Sequence, residues 1–118
     1  MKPTAKVGQW TYAINKNIKA YALRDAGFIK TLRGNYRYTH PLYLDSPYDT
    51  IGVLKIDINK NLTELEILTT ILTTILTTGN DQMTKINLFK NDKLKPVVDL
   101  LKFNLDDLVD REILKQIK

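Results

Sequence analysis

Hydrophobic and polar positions change period several times along this chain, and each change marks an element. Between Val7 and Ile14, the residues Trp10, Tyr12 and Ile14 alternate with polar neighbours, the period of a half-buried strand. Asn15 and Asn17 then stand where a helix cap belongs, before Ile18, Tyr21, Ala22 and Asp25 at three- and four-residue spacing. Gly27 follows where a left-handed C-terminal residue is expected, and Phe28 is placed to pack back onto the helix. Phe28–Leu32 and Tyr36–Leu44 read as the arms of a hairpin around Arg33-Gly34-Asn35, whose Gly and Asn tolerate positive φ. Pro41 in the second arm predicts an edge strand or a bulge. After the turn Asp45-Ser46-Pro47-Tyr48-Asp49 comes a cleanly alternating strand. Its Leu54, Ile56 and Ile58 face inward, while Lys55, Asp57 and Asn59 face water.

The next stretch repeats Ile-Leu-Thr-Thr from residue 67 to residue 78. Apolar pairs every four residues would give a helical stripe drifting about 40° per repeat. Nine of those twelve residues are β-branched and none is charged, which favours extended chain. The tract is therefore predicted to be strand, central in a sheet that protects it from aggregation, with a second strand at residues 85–89. Pro96 suits the first turn of a helix carrying Val97, Val98, Leu100 and Leu101. Asn104 looks like the N-cap of a following helix, with Asp106 and Asp107 in its first turn. Leu105, Val109, Ile113 and Ile117 would be its buried stripe, and Asp107 can pair with Arg111. The order is strand, helix, four strands, then a helix or helix pair. It predicts one α+β domain over residues 1–118, with an antiparallel sheet covered by helices mainly on one face.

Composition narrows the chemistry. With 43% hydrophobic and 26% charged residues, 118 residues are ordinary globular material with enough chain for one core. There is no cysteine, one histidine (His40) and one serine (Ser46). Disulfides, thiolate metal sites and a cysteine nucleophile are thereby excluded, and one imidazole cannot furnish a catalytic zinc site. Ser46 and His40 lie where the end of a strand runs into a Pro-rich turn, without a G-x-S-x-G elbow, so a surface turn accounts for the serine. The five glycines never cluster, which removes the usual nucleotide cradles. No cofactor is therefore expected. Neither a signal peptide nor a membrane-length apolar run is present, so a cytoplasmic location is expected.

The net charge of +5 resides in residues 1–59, which hold nine basic residues against four aspartates. Lys30, Arg33, Arg37 and His40 alternate there with Phe28, Tyr36, Tyr38 and Tyr43. Guanidinium groups beside exposed rings would suit single-stranded RNA. The same alternation suits a strand with rings inward and cations outward, and that solvated face is the favoured reading. Asp57-Ile58-Asn59-Lys60-Asn61 resembles the start of a calcium loop, but Leu62 and Leu68 occupy its glycine and bidentate-carboxylate positions. Asp106, Asp107 and Asp110 are explained by helix-start electrostatics without an ion.

Several short stretches occur together: Tyr21-Ala22-Leu23-Arg24-Asp25-Ala26-Gly27-Phe28, Gly34-Asn35-Tyr36, Leu54-Lys55-Ile56, Asn59 to Thr63, and Asn87-Leu88-Phe89-Lys90. In this order the chain resembles a small uncharacterised family of lactic-acid-type bacteria, domain-of-unknown-function family eighteen-thirty-one. The resemblance implies a sheet-on-helix α+β fold distantly similar to prokaryotic S-adenosylmethionine decarboxylases. It also implies a setting near cysteine desulfurase and tRNA-thiolation functions, hence amino-acid metabolism. It brings no catalytic residues. The decarboxylases form a pyruvoyl group from an internal serine helped by histidine and cysteine; here only Ser46 is available and the cysteine is missing.

Three expectations follow. The first is a non-enzymatic accessory protein that binds a metabolite or a partner protein of sulfur amino-acid metabolism. The second is an RNA-binding module using the hairpin 28–43, with Lys30, Arg33, Tyr36, Arg37, Tyr38 and His40 as contact residues. The third is a small enzyme centred on Arg24, Asp25, His40 or Asp57, which requires those side chains to converge. Monomer and homodimer are both compatible with the pattern.

Overall fold

The computed structural model describes residues 1–43, 50–71 and 95–118. In chain order the elements are β1 (Thr4–Val7), β2 (Trp10–Ile14), α1 (Ala20–Ala26), β3 (Ile29–Lys30), β4 (Tyr36–Tyr43), β5 (Thr50–Ile58), β6 (Leu65–Ile71), α2 (Lys95–Asp110) and β7 (Leu114–Gln116). The α+β class is as the sequence predicts, but the described strands form two antiparallel sheets where one was expected. One sheet has the order β1-β2-β7 and the other β3-β4-β5-β6. They meet where Lys2 and Leu65 exchange backbone hydrogen bonds of 3.3 and 2.8 Å.

The first sheet contains both strands that the sequence conceals. A two-residue turn, Gly8-Gln9, joins β1 to β2, with Gly8 at φ +60°. The predicted strand from Val7 to Ile14 is therefore the turn and second arm of a hairpin. Its alternation survives: Tyr12 is fully buried, with Trp10 and Ile14 half-buried on the same face. β7 pairs Leu114 with Ile14 and Gln116 with Tyr12.

α1 starts differently from the prediction. Its N-cap is Lys19, with no side-chain cap, while the Asn15 side chain accepts the Asn17 N–H at 2.8 Å and shapes the preceding turn. Leu23 is its fully buried residue, whereas Tyr21 and Asp25, assigned to the buried spacing, are exposed. The C-terminal end is as expected. Gly27, at φ +106°, sends its N–H to Arg24 O at 3.1 Å, and buried Phe28 sends its own to Leu23 O at 2.9 Å.

In the second sheet, β4 and β5 run in register from Tyr36↔Ile58 to Leu42↔Gly52, with an irregularity between Leu42 and Tyr43. β3 reaches only Tyr36 and Arg37, so Pro41 lies on a stretch of β4 without β3 beside it, near that irregularity. Leu54, Ile56 and Ile58 are fully buried, and with Tyr36, Tyr38 and Leu42 they line the inner face that α2 covers. The first Ile-Leu-Thr-Thr unit lies in β6, as predicted for strand. Among the described residues β6 pairs with β5 on one side, and the expectation that the tract is central, which needs a strand on its other side, falls on residues outside them. The later repeats and the predicted strand at 85–89 lie outside the described residues.

α2 is one helix, not two. Asn104 is not a cap but lies within it, buried, with its Nδ2–H donating to Leu100 O at 2.9 Å. Asp106 and Asp107 therefore fall late in the helix and not in a first turn. Val97, Leu101, Leu105 and Leu108 form the buried stripe. The helix ends before Ile113, which is buried, and Ile117, expected on that stripe, is 50% exposed beyond β7.

Candidate functional site

The hairpin residues separate by face. Tyr36 and Tyr38 are 7% and 9% exposed, turned toward the core, while Lys30, Arg33 and Arg37 are exposed. Rings inward and cations outward is the solvated-strand arrangement, and it takes away the platform on which a base would stack. Arg37 is engaged across the sheet: its Nε–H donates to Asp57 Oδ1 at 2.9 Å and its Nη2–H to Asp57 Oδ2 at 3.4 Å, an alliance that raises the guanidinium pKa further. Burial, followed by the negative charge of Asp107, raises the Tyr38 hydroxyl pKa. His40 is half-buried, its ring 6.3 Å from that of Tyr38, and its Nδ1–H donates to Pro41 O at 2.8 Å. A carbonyl only accepts, which fixes the tautomer. Arg24 and Asp25 are exposed near the end of α1. Of three open clefts among the described residues, one is lined by Asp57 and none by Arg24, Asp25 or His40. The four residues of the enzyme reading therefore share none of these three clefts. Ser46 lies outside the described residues.

One cleft, of about 470 Å³, lies where the loop entering α1 faces the turn leaving α2. Lys16, Lys19, Tyr21, Arg111 and Glu112 line it, with half-buried Ile18 and Ala22 supplying apolar surface. Its two walls are tied together, since Asn15 N–H donates to Ile113 O at 3.0 Å. Arg111 is held by Asp107 at 3.0 Å, whereas Lys16, Lys19 and Glu112 form no ion pair among the described residues. Glu112 has φ +60°. It occupies the same left-handed place after α2 that Gly27 occupies after α1, with Glu112 N–H on Val109 O and Ile113 N–H on Leu108 O, both at 3.0 Å. An L-residue there costs roughly 1–2 kcal/mol that glycine avoids. Glu112 thus lines the cleft from a left-handed backbone position, and Lys16 and Lys19, neither in an ion pair among the described residues, line it too. Such an arrangement can take a ligand carrying both charges: carboxylate to the lysines, ammonium to Glu112.

A second polar constellation was not foreseen. Lys102, from α2, donates to Gln116 Oε1 at 2.6 Å, to Tyr12 Oη at 3.2 Å and to Asp106 Oδ1 at 3.0 Å. Its ammonium also lies 5.0 Å from the Trp10 ring centre and 5.6 Å from that of Tyr12. Burial raises the Tyr12 hydroxyl pKa against the pull of Lys102. Burial would lower Lys102, but its bonds to Asp106 and Tyr12 and their charges more than offset this and keep it protonated beyond the ordinary lysine range. A charged lysine and a neutral tyrosine are neither nucleophile nor base at neutral pH, so the cluster fastens α2 to the three-stranded sheet. Its sequence signals were the Trp10/Tyr12 alternation and the four-residue Lys102/Asp106 spacing.

Residues 2–115 match the family DUF1831, whose description is "Putative amino acid metabolism". The chain belongs to DUF1831. The crystal structure of a DUF1831 family protein from Lactobacillus plantarum is similar throughout, with a TM-score of 0.77, 27% identity, and coverage of 98% of this chain and 96% of that one. Neither match is an S-adenosylmethionine decarboxylase, so that expected likeness gains no support. Among curated proteins none matches. Within this DUF1831 chain no three acidic or imidazole groups converge among the described residues. Of the aspartates considered as metal ligands, Asp57 pairs with Arg37, Asp106 with Lys102 and Asp107 with Arg111. No helix among the described residues is long and apolar enough to cross a membrane.

Proposed function

We propose that this DUF1831 protein is a non-catalytic binding protein of amino-acid metabolism, and that the cleft between the α1 entry loop and the α2–β7 turn takes a small zwitterionic metabolite. The observation that carries the reading is Glu112, a charged residue kept at φ +60° over a cleft with Lys16 and Lys19. Strain of this kind concentrates where a side chain has work that glycine cannot do. The family description supports amino acids as the ligand class, and a free amino acid carries the two charges that the cleft complements. The sulfur branch, cysteine, methionine and S-adenosylmethionine, is the part of that metabolism which the sequence resemblance favours. Partner proteins of that branch would then receive or deliver the ligand.

Titration of the isotope-labelled full chain with L-cysteine, L-methionine, S-adenosylmethionine and L-alanine tests this by amide chemical shift. The expected result is saturable movement confined to residues 15–22 and 108–114, larger for the sulfur compounds than for L-alanine. Movement that is absent with every compound sinks the proposal, and equal movement with all four removes its sulfur part.

A further inference from the structure

A separate surface, sharing no residue with that cleft, lies at the tip of the β3–β4 hairpin. We propose that it docks a segment of a partner protein in which apolar side chains are flanked by carboxylates. Leu32 is fully exposed, at 109% of the reference area, and Ile29 at 72% and Met1 at 46% are exposed as well. Met1, Leu32, Arg33 and Arg37 share one cleft of about 460 Å³, and Ile29 stands opposite Arg37 on the neighbouring strand. Isolated exposed aliphatics are ordinary on protein surfaces; three around one concavity are a patch.

The patch is rigidly presented. Thr31 N–H donates to Asn35 O at 2.7 Å and Gly34 N–H to Thr31 O at 2.9 Å, which closes the loop. Asn35 Oδ1 accepts the Lys60 N–H at 3.2 Å and ties the loop to the next turn. Little ordering remains to be done on binding, the condition under which a small surface yields useful affinity.

Charge selects the occupant. Arg33, which lines the cleft, and Lys60, whose stem lies against the Gly34 side of the loop, are exposed and form no ion pair among the described residues, whereas Lys30, paired with Tyr36, belongs to the other face. The acid lining the cleft, Asp57, is already engaged by Arg37. Two free cations beside aliphatic side chains, Arg33 and Lys60, complement carboxylates beside aliphatic side chains. RNA would satisfy the cations but leave Leu32 and Ile29 without partners, and Tyr36 and Tyr38 are turned away from it. A bilayer offers a flat surface, whereas this one is concave.

The test is titration of the labelled full chain with four probes: a twelve-residue peptide alternating Glu and Leu, its Glu/Ser counterpart, polyuridylate, and phosphatidylglycerol vesicles. The Glu/Leu peptide is expected to shift the amides of residues 29–37, with the other three at least tenfold weaker. Leu32→Asp and Arg33→Glu should each weaken the peptide about tenfold or more, the size of a central contact's loss. Both side chains lie outside the core, so the thermal midpoint should stay put. The proposal is overturned if the Glu/Leu peptide leaves residues 29–37 unmoved or Leu32→Asp has no effect. Equal or tighter binding of the Glu/Ser peptide, polyuridylate or vesicles overturns it too.

Discussion

Helices α1 and α2 end in the same backbone device built from different residues. After α1, the N–H groups of Gly27 and Phe28 reach back to Arg24 and Leu23; after α2, those of Glu112 and Ile113 reach back to Val109 and Leu108. In each, the residue following the left-handed position is buried, as is the residue whose carbonyl it bonds. The difference lies at the turning residue, glycine in one and glutamate in the other. Where nothing but geometry is required, the residue that fits best is present. Where it is not, the side chain lies on a cleft. Leu62, at φ +58°, is the other non-glycine residue in this conformation among the described residues and packs against the core, so what sets Glu112 apart is an exposed charge at a cleft and not the strain alone.

The largest effects should come from removing the anchors beneath the two ends. Leu23→Ala and Leu108→Ala each vacate a fully enclosed position, and each is expected to lose about 2–5 kcal/mol in denaturant unfolding. Hydrogen exchange should separate them: faster exchange confined to α1 for Leu23, and spread through α2 and β7 for Leu108. Exchange that changes alike in both variants would break the distinction between a short appended helix and one integral to the core.

Next in size is the fastening of α2 to the three-stranded sheet through Lys102. Lys102→Met keeps the stem and removes the donor shared by Tyr12 and Gln116. A loss of about 1–3 kcal/mol is expected, because the Tyr12 hydroxyl is then enclosed with a poorer partner. Gly27→Ala should cost about 1–2 kcal/mol through φ alone, since the added Cβ would meet the Tyr38 ring at an ordinary 3.9 Å. A loss much above that would mean packing, and not backbone strain, governs the α1 end.

The smallest effect is in pH. Tyr12, Tyr38 and Lys102 all have raised pKa values in the folded chain. Each holds its proton longer when folded than when unfolded, so above about pH 10 the folded chain binds more protons and stability must fall as pH rises. Below that pH these groups contribute a constant. In Lys102→Met the alkaline decline should be shallower; an unchanged slope would remove Lys102 from the account.

How much of this was legible follows from the same contrast. Gly27 announces its turn, and the α1 end, the β3–β4 hairpin and the alternating β5 were readable because each has a residue type tied to one conformation. Glu112 announces nothing. With Leu105, Val109, Ile113 and Ile117 at four-residue spacing, the pattern continues as helix across a point where the backbone turns into β7. Asn104 added a false cap, because its side chain bonds backward to Leu100 and not forward to a helix start. β1 was hidden by its brevity and by the weak signal of Gly8-Gln9. The cluster around Lys102 joins residues 90 positions apart, which no local pattern reveals. As for candidate residues, the basic hairpin was visible in the sequence, but which of its side chains face water was decided by register. The Glu112 cleft was invisible because two loops build it.

Glu112→Gly is the substitution on which the account turns, studied by denaturant unfolding and by calorimetric titration with L-cysteine in parallel. Glycine relieves the left-handed strain but loosens the unfolded chain, so the net gain should be about 0.5–1 kcal/mol, a rise of about 2–5 °C in Tm. Binding should weaken at least tenfold as the ammonium partner is lost. A more stable protein that binds less is the predicted outcome. A variant that binds L-cysteine as well as the parent, or one that gains no stability, would contradict the claim that Glu112 is held in strain for the sake of a ligand.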